Sequence, residues 1–279
     1  MRQPPSAIRR TLIAFTAAFA VTALTGACQV ITQVPEEAPE GPPEQLYNKG
    51  MDLLLEDNPV AAAAVFDEVD RQHPYSVWAD KAQIMAAYAF YKRNKYDDAV
   101  VALERFIKLH PGSRDAPYAY YLKALCYYER ITDVGRDQDL TRRAMGALDE
   151  VIRRYPKSKY ARDARLKRDL TNDHLAGSEM KIGRFYLKKK QYLAAINRFR
   201  GVVDNYQTTS HVPEALHRLT EAYLASGLKE EAQATAAVLG HNFPGSDWYV
   251  DSYALITGTE PASKTEERSW IGRAWNSVF

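Results

Sequence analysis

Apolar positions along this chain are organised by a recurring turn. His73-Pro74-Tyr75-Ser76, His110-Pro111-Gly112-Ser113, Tyr155-Pro156-Lys157-Ser158 and Phe243-Pro244-Gly245-Ser246 share an aromatic or His, then Pro, then Ser two places on. Tyr206-Gln207-Thr208-Thr209 keeps the place without the proline. Pro cannot continue a helix and Ser can cap the next one, so each segment predicts a helix end, a tight turn and a helix start. His73 and His110 read as terminators whose imidazoles interact with the last carbonyls. Twelve residues before the Pro position stand Ala62, Ala99, Ala144, Ala195 and Ala232. Eight before stand Phe66, Leu103, Leu148, Phe199 and Ala236, and five before stand Val69, Phe106, Val151, Val202 and Leu239. Offsets of four and three place all three positions on one helix face, with the alanine allowing a neighbouring helix to approach closely. After three of the turns, alanines follow the serine at three and six residues: Ala79 and Ala82, Ala116 and Ala119, Ala161 and Ala164.

The turns are 37, 45, 51 and 37 residues apart. The extra residues of the second interval fall in a charged loop, Arg130 to Asp139, and those of the third in an extended helix, roughly Tyr160 to Lys190. The fold class that follows is all-α: a solenoid of about five helix pairs resembling tetratricopeptide repeats, whose period is about 34 residues. Each pair cannot bury its own apolar face, and stacking builds one core with an inner groove suited to an extended peptide or a partner helix.

The chain ends carry different signals. Arg2, Arg9 and Arg10 precede an uncharged run from Thr11 to Leu24, and small residues lead to Cys28. That is the anatomy of a secretory signal, residues 1–27, and its apolar run is too short for a permanent span. Leu24-Thr25-Gly26-Ala27-Cys28 resembles a lipobox, except that Thr25 stands where Leu or Val is usual. Either Cys28 carries lipid, or cleavage after Ala27 leaves a free thiol. Gln29, where Asp would favour retention at the inner membrane, implies the outer membrane by resemblance to other lipoproteins. Residues 28–43 form a Pro- and Glu-rich tether, residues 44–257 the solenoid, and residues 258–279 a polar linker with an amphipathic tail. In that tail Trp270, Ile271, Ala274 and Val278 share a face, with Trp275 and Phe279 beside it. Its partner is left open among the body, another protein and the membrane.

Charge and chemistry narrow the function. The precursor has 37 basic and 35 acidic residues, and removing residues 1–27 takes away three arginines and no acid, leaving 34 against 35. Wholesale nucleic-acid binding through a basic domain is thereby disfavoured. Cys126, the second of two cysteines, lies in a helical apolar stretch and reads as a core residue. No nucleophile, phosphate-loop or metal motif is present, and His211 and His217, six apart, fall on different helix faces. The expectation is a non-enzymatic protein with no cofactor and no metal. Two surface features remain. A basic cluster contains Arg153, Arg154, Lys157, Lys159, Arg162, Arg165, Lys167 and Arg168. It is either a solvated face or a dock for an acidic partner or lipid headgroups. Tyr88, Tyr91, Tyr118 and Tyr121 belong to a tyrosine-rich pair of helices, where amphipathic rings suit peptide binding.

The leader, the lipobox-like cysteine, the tether and the five pairs together resemble the BamD family, lipoprotein subunits of the outer-membrane β-barrel assembly machine. The resemblance runs from about Pro43 to Phe243. It is carried by Ala87-Tyr88-Ala89-Phe90-Tyr91-Lys92, Arg105-Phe106-Ile107-Lys108-Leu109-His110-Pro111, Tyr120-Tyr121-Leu122-Lys123-Ala124-Leu125, Tyr155-Pro156-Lys157-Ser158-Lys159-Tyr160 and Ala195-Ile196-Asn197-Arg198-Phe199. It implies a scaffold, lipid-anchored at the periplasmic face of the outer membrane. Its first repeats would receive unfolded barrel precursors and its last would hold the periplasmic domain of the central subunit, BamA, alongside other lipoproteins of the machine. Arg198 matches a position implicated in the BamA contact. Asn197 beside it, with Arg162 and Arg165 of the basic cluster, completes the partner-binding candidates, and the four tyrosines are the candidates for the precursor groove. The other reading is a different periplasmic repeat adaptor, such as a cell-division or peptidoglycan coordinator.

Overall fold

The computed structural model describes residues 40–259, and the leader, Cys28, most of the tether and the Trp-containing tail lie outside them. Within the described residues the chain is all-helical. The helices are α1 (Pro43–Leu55), α2 (Pro59–Gln72), α3 (Val77–Lys92), α4 (Tyr96–Leu109), α5 (Ala116–Tyr128), α6 (Asp139–Arg154), α7 (Lys159–Lys188), α8 (Tyr192–Asn205), α9 (Val212–Ala225), α10 (Lys229–Asn242) and α11 (Asp247–Thr257). They stack as five antiparallel pairs followed by α11, each helix packing on the next. None of the described helices is long and apolar enough to cross a membrane.

The turn that organises the sequence recurs in three dimensions. All five second helices end on a residue with φ between −135° and −125° and ψ between 41° and 56°: His73, His110, Tyr155, Tyr206 and Phe243. In each case the amide three residues on, of Ser76, Ser113, Ser158, Thr209 or Ser246, donates back to that residue's carbonyl at 3.0–3.1 Å. The Tyr206 turn closes in the same way without proline, so the proline favours this geometry but does not impose it. Ser76 and Ser158 cap as expected, accepting from Ala79 N and Ala161 N at 3.1 Å, and Ser246 accepts from Trp248 N. Such caps contribute about 1 kcal/mol each.

Two local expectations need correction. Ser113 does not cap α5, which begins only at Ala116 with Asp115 as its cap residue. A helix capped by Ser113 would need a backbone N–H at Pro117, which has none, so the start shifts until Pro117 falls in the first turn. The imidazoles of His73 and His110 do not close helix carbonyls. His73 Nε2 lies 2.8 Å from Gly41 O and holds the chain entering α1, while His110 stacks on Phe106 and sits 3.4 Å from Asp80.

The connections inside the pairs repeat too. Asp57, Asn94, Lys190 and Gly227 all adopt positive φ, between 56° and 79°. The next amide on, of Asn58, Lys95, Gln191 or Leu228, donates to a carbonyl five residues back at 2.8–2.9 Å. These are Schellman closures, and only Gly227 adopts the left-handed conformation without steric cost. The exception is the α5–α6 connection, where the charged insertion sits. Its Asp133 bonds Lys181 of the extended α7 at 3.2 Å. A Cβ at Gly177 of α7 would lie 3.5 Å from Val134 and 3.2 Å from His211. The two insertions noted in the sequence thus close on each other.

The core follows the expected register. Ala62, Ala99, Ala144, Ala195 and Ala232 are fully buried, as are Phe66, Leu103, Leu148 and Phe199. Opposite them the first helices vary in size to match. Sixteen residues before Phe66 and Phe199 stand Gly50 and Gly183, where an added Cβ would meet the ring at 2.6 and 2.5 Å. Sixteen before Leu103 stands Ala87, and sixteen before Ala236 stands Thr220, both fully buried. Large faces small at each level, which keeps the interior close-packed. Cys126 is fully buried, and burial pushes its thiol up to about 12.

Successive first helices also touch one another along the array, with no comparable contact between second helices. The array therefore curves with α3, α5, α7 and their equivalents on the inner side. At its far end α11 is fastened to α9, where His217 Nδ1 lies 2.8 Å from Ser252 Oγ and Arg218, bonded to Glu221 at 2.7 Å, stacks over Trp248, while Arg184 of α7 bonds Glu214 of α9.

Candidate functional site

The inner side carries a continuous aromatic surface. Tyr88 and Tyr91 project from α3 with ring centroids 6.1 Å apart, and Tyr96 stands edge-on to Tyr91. From α5, Tyr118 and Tyr121 both lie against Tyr160 of α7, each at 5.4 Å. The spacing of Tyr118 and Tyr121, three residues along one helix, aims both at the same neighbour. All four expected tyrosines are half-buried and come together across two neighbouring first helices. Two of the hydroxyls are held by acids: Tyr91 donates to Glu129 at 3.2 Å and Tyr121 donates to Asp163. Burial first, and then the neighbouring acid, raises Tyr91 and Tyr121 above the ordinary tyrosine value, while burial and neighbouring tyrosines raise Tyr118. Tyr91, Tyr118 and Tyr121 therefore stay neutral, presenting ring faces, with the O–H groups of Tyr91 and Tyr121 fixed toward the acids. Such a surface suits an extended, partly apolar chain.

A second feature lies two pairs along. Arg198 of α8 reaches Glu179 of α7, its Nη1 donating at 3.1 and 3.4 Å. Phe199 points into the core, and the turn of helix between them leaves the Arg198 side chain 43% exposed. Among the described residues no hydrogen bond uses its Nε or Nη2. The pair opens onto a recess of about 290 Å³ lined by Glu179, Tyr186, Ala194, Asn197 and Arg198. Its apolar continuation runs over Tyr192 and Leu193, and Leu193 is exposed. A guanidinium with its outer edge open beside an apolar shelf is fitted to a carboxylate flanked by an aliphatic group.

Arg162 and Arg165 do not join that recess. They lie near the start of α7, about 21–26 Å along the helix from Glu179. Arg165 donates to Pro156 O at 3.1 Å, and both side chains are exposed. The basic cluster is partly neutralised: Arg154 pairs with Glu150, Lys167 with Asp163, and Arg168 with Asp149 and Asp169. The two histidines weighed as ligands stay apart. His217 is buried against Ser252, and His211 lies 3.6 Å from Asp173.

A family model described as "Outer membrane lipoprotein" (YfiO) matches residues 39–239. Outer membrane protein assembly factor BamD of Caulobacter vibrioides is 52% identical over 254 residues, covering 90% of this chain and 82% of that protein. The protein of the same name from Rickettsia prowazekii is 50% identical over 211 residues, covering 76% and 84%, and that of Neisseria meningitidis serogroup A is 34% identical, covering 75% and 82%.

The chain belongs to the BamD family. The stretch matched by the outer membrane lipoprotein model takes in the residues of both the tyrosine surface and the arginine recess. Sequence reasoning overlooked Tyr160 and Asp163 on the former and Glu179 and Tyr186 beside the latter. Tyr160 stood within a quoted motif, but its pairing with two rings some forty residues earlier has no local signature. Glu179 carries no signal beyond being an acid on the adjoining helix.

Proposed function

We propose that this chain is a non-enzymatic scaffold in the assembly of outer-membrane β-barrel proteins, as its BamD kinship suggests. Lipid on Cys28 holds it at the periplasmic face of the outer membrane. Unfolded barrel precursors bind along Tyr88, Tyr91, Tyr118, Tyr121 and Tyr160. The Arg198 recess, with Asn197, takes an acidic group on the periplasmic domain of BamA, and Arg162 and Arg165 offer a separate basic contact to other lipoproteins of the machine. The tyrosine surface is the observation that carries this reading: five rings from three successive first helices, on the inner side of the curve, with the Tyr91 and Tyr121 hydroxyls held in place by acids. A strand-forming precursor supplies alternating apolar side chains and free backbone N–H groups, which the ring faces and the phenolic oxygens of Tyr91 and Tyr121, still able to accept, match.

The two surfaces can be tested separately. Tyr88→Ser with Tyr118→Ser should weaken binding of an unfolded barrel precursor and leave BamA binding intact. Arg198→Glu should weaken BamA binding about tenfold or more while the isolated protein melts within about 2 °C of the parent, since an exposed ion pair is worth little. Unchanged BamA affinity in the Glu variant, or a normal precursor affinity in the tyrosine variant, overturns the corresponding assignment.

A further inference from the structure

α11 is a first helix without a second. Counted from each turn, Ser252 occupies the place of Ala82, Ala119, Ala164 and Ala215, and all five are fully buried. One residue on, Tyr253 occupies the place of Gln83, Tyr120, Arg165 and Leu216; Gln83 is half-buried and Arg165 of the extended α7 is exposed, and the two apolar members are Tyr120 and Leu216. In the completed pairs these are 8% and 4% exposed. Tyr120 packs in a cluster with Leu148 and Val151 of its own second helix, α6, and Leu216 packs with Leu239 of α10. Tyr253 is 55% exposed. Thr257 repeats the pattern: it is exposed where Ala87, Ala124 and Thr220 are fully buried, with Asp169 of the extended α7 again the exposed equivalent. Val250, one turn before Tyr253, is exposed as well. The bare side of α11 is thus the side that a second helix covers on α5 and on α9.

The residues directly after α11 are not fitted to cover it. The second helices α2, α4, α8 and α10 each begin four residues after the preceding helix ends. The same spacing would put the three packing positions at Lys264, Arg268 and Ile271, two of them cations. The apolar stretch that does follow is Trp270 to Phe279, with Trp270, Ile271, Ala274, Trp275 and Val278 spaced to share a helix face. Residues 258–269 connect it, and twelve residues can span about 40 Å, more than twice the roughly 16 Å length of α11. The connection can therefore return along α11 in either direction.

We propose that the C-terminal segment Trp270–Phe279 of this same chain covers the open side of α11 and completes a sixth pair. Tyr253 is the residue it buries, with Trp275 the ring fitted to do so. The segment thereby protects the end of the array, the role terminal caps serve in repeat proteins.

The test is amide hydrogen exchange on the full-length mature protein, read at residues 253–258. Trp275→Asp and Tyr253→Asp should each speed exchange there about tenfold, with the double variant no faster than either single one. Tyr253 is exposed among the described residues, so Asp at that position does not by itself break the helix. Unchanged exchange in Trp275→Asp overturns the proposal, as do effects of the two substitutions that multiply. Binding to phosphatidylethanolamine–phosphatidylglycerol vesicles that Trp275→Asp abolishes, with exchange at α11 untouched, overturns it in favour of a membrane contact.

Discussion

Gly183→Ala puts the size-matching rule of the core to a direct test. The new Cβ would stand 2.5 Å from Phe199 Cε1, 2.8 Å from Cδ1 and 2.9 Å from Cζ. Carbon atoms settle at about 3.5–4.0 Å, so the ring must retreat by about 1 Å. It has nowhere to go: Phe199 is fully buried among Met180, Leu187, Ala195, Val202 and Leu219. Overpacking of this kind costs about 1–3 kcal/mol. Against it stands the helix-propensity gain of Gly→Ala, about 1 kcal/mol. Gly146 separates the two effects, since it lies in α6, exposed, with nothing within 4 Å of an added Cβ. Gly146→Ala should raise the midpoint by the propensity term alone, about 2–4 °C in a folded body of this length. Gly183→Ala should leave it unchanged or lower it by several degrees. Phe199→Leu in the Gly183→Ala background recreates the Ala87–Leu103 combination, and should be neutral or stabilising there while destabilising the parent. The assay is thermal and urea unfolding of the four members of that cycle plus the Gly146 control, with a coupling of at least about 1 kcal/mol expected. A Gly183→Ala protein as stabilised as Gly146→Ala, or a Phe199→Leu cost that is equal in both backgrounds, refutes the reasoning.

Three further outcomes follow from local features. Lys190 holds φ of 60° at a helix end where the equivalent position of α9 has Gly227, so Lys190→Gly should stabilise by up to about 1 kcal/mol, and a lower melting temperature would count against the strain argument. Burial alone would raise the Glu221 carboxyl, but His217 and Arg218 outweigh it and hold it down to about 2. Its folded value is thus below its unfolded one, so its contribution is complete above about pH 4.5 and is lost as pH falls toward 2. Glu221→Gln should melt lower at pH 7 and lose less stability than the parent between those pH values; parallel acid-unfolding curves would contradict this. Cys28→Ser should release the chain from membranes as a soluble form, and mass spectrometry finding an unmodified Cys28 in the parent would end the lipidation proposal.

What the sequence determined by itself is what short-range physics can write. The five turns, the fully buried Ala62, Ala99, Ala144, Ala195 and Ala232, and the serine caps at Ser76, Ser158 and Ser246 depend on residues within a dozen positions of one another. A helix repeats at 3.6 residues, so such patterns survive in one dimension. The displaced start of α5 was local as well, fixed by the missing N–H of Pro117, although the serine signal masked it. Tertiary structure alone decided the rest. Whether Tyr160 meets Tyr118 and Tyr121, or Glu179 meets Arg198, depends on how far each pair rotates past the last. Two insertions fall between those residues, and their mutual contact through Asp133 and Lys181 is written in neither. The sequence could offer the tyrosines and Arg198 as candidates. It could not say that the rings join into one surface or that the guanidinium is half held by a neighbour, because both depend on the superhelix, a sum of small packing angles that no single repeat encodes.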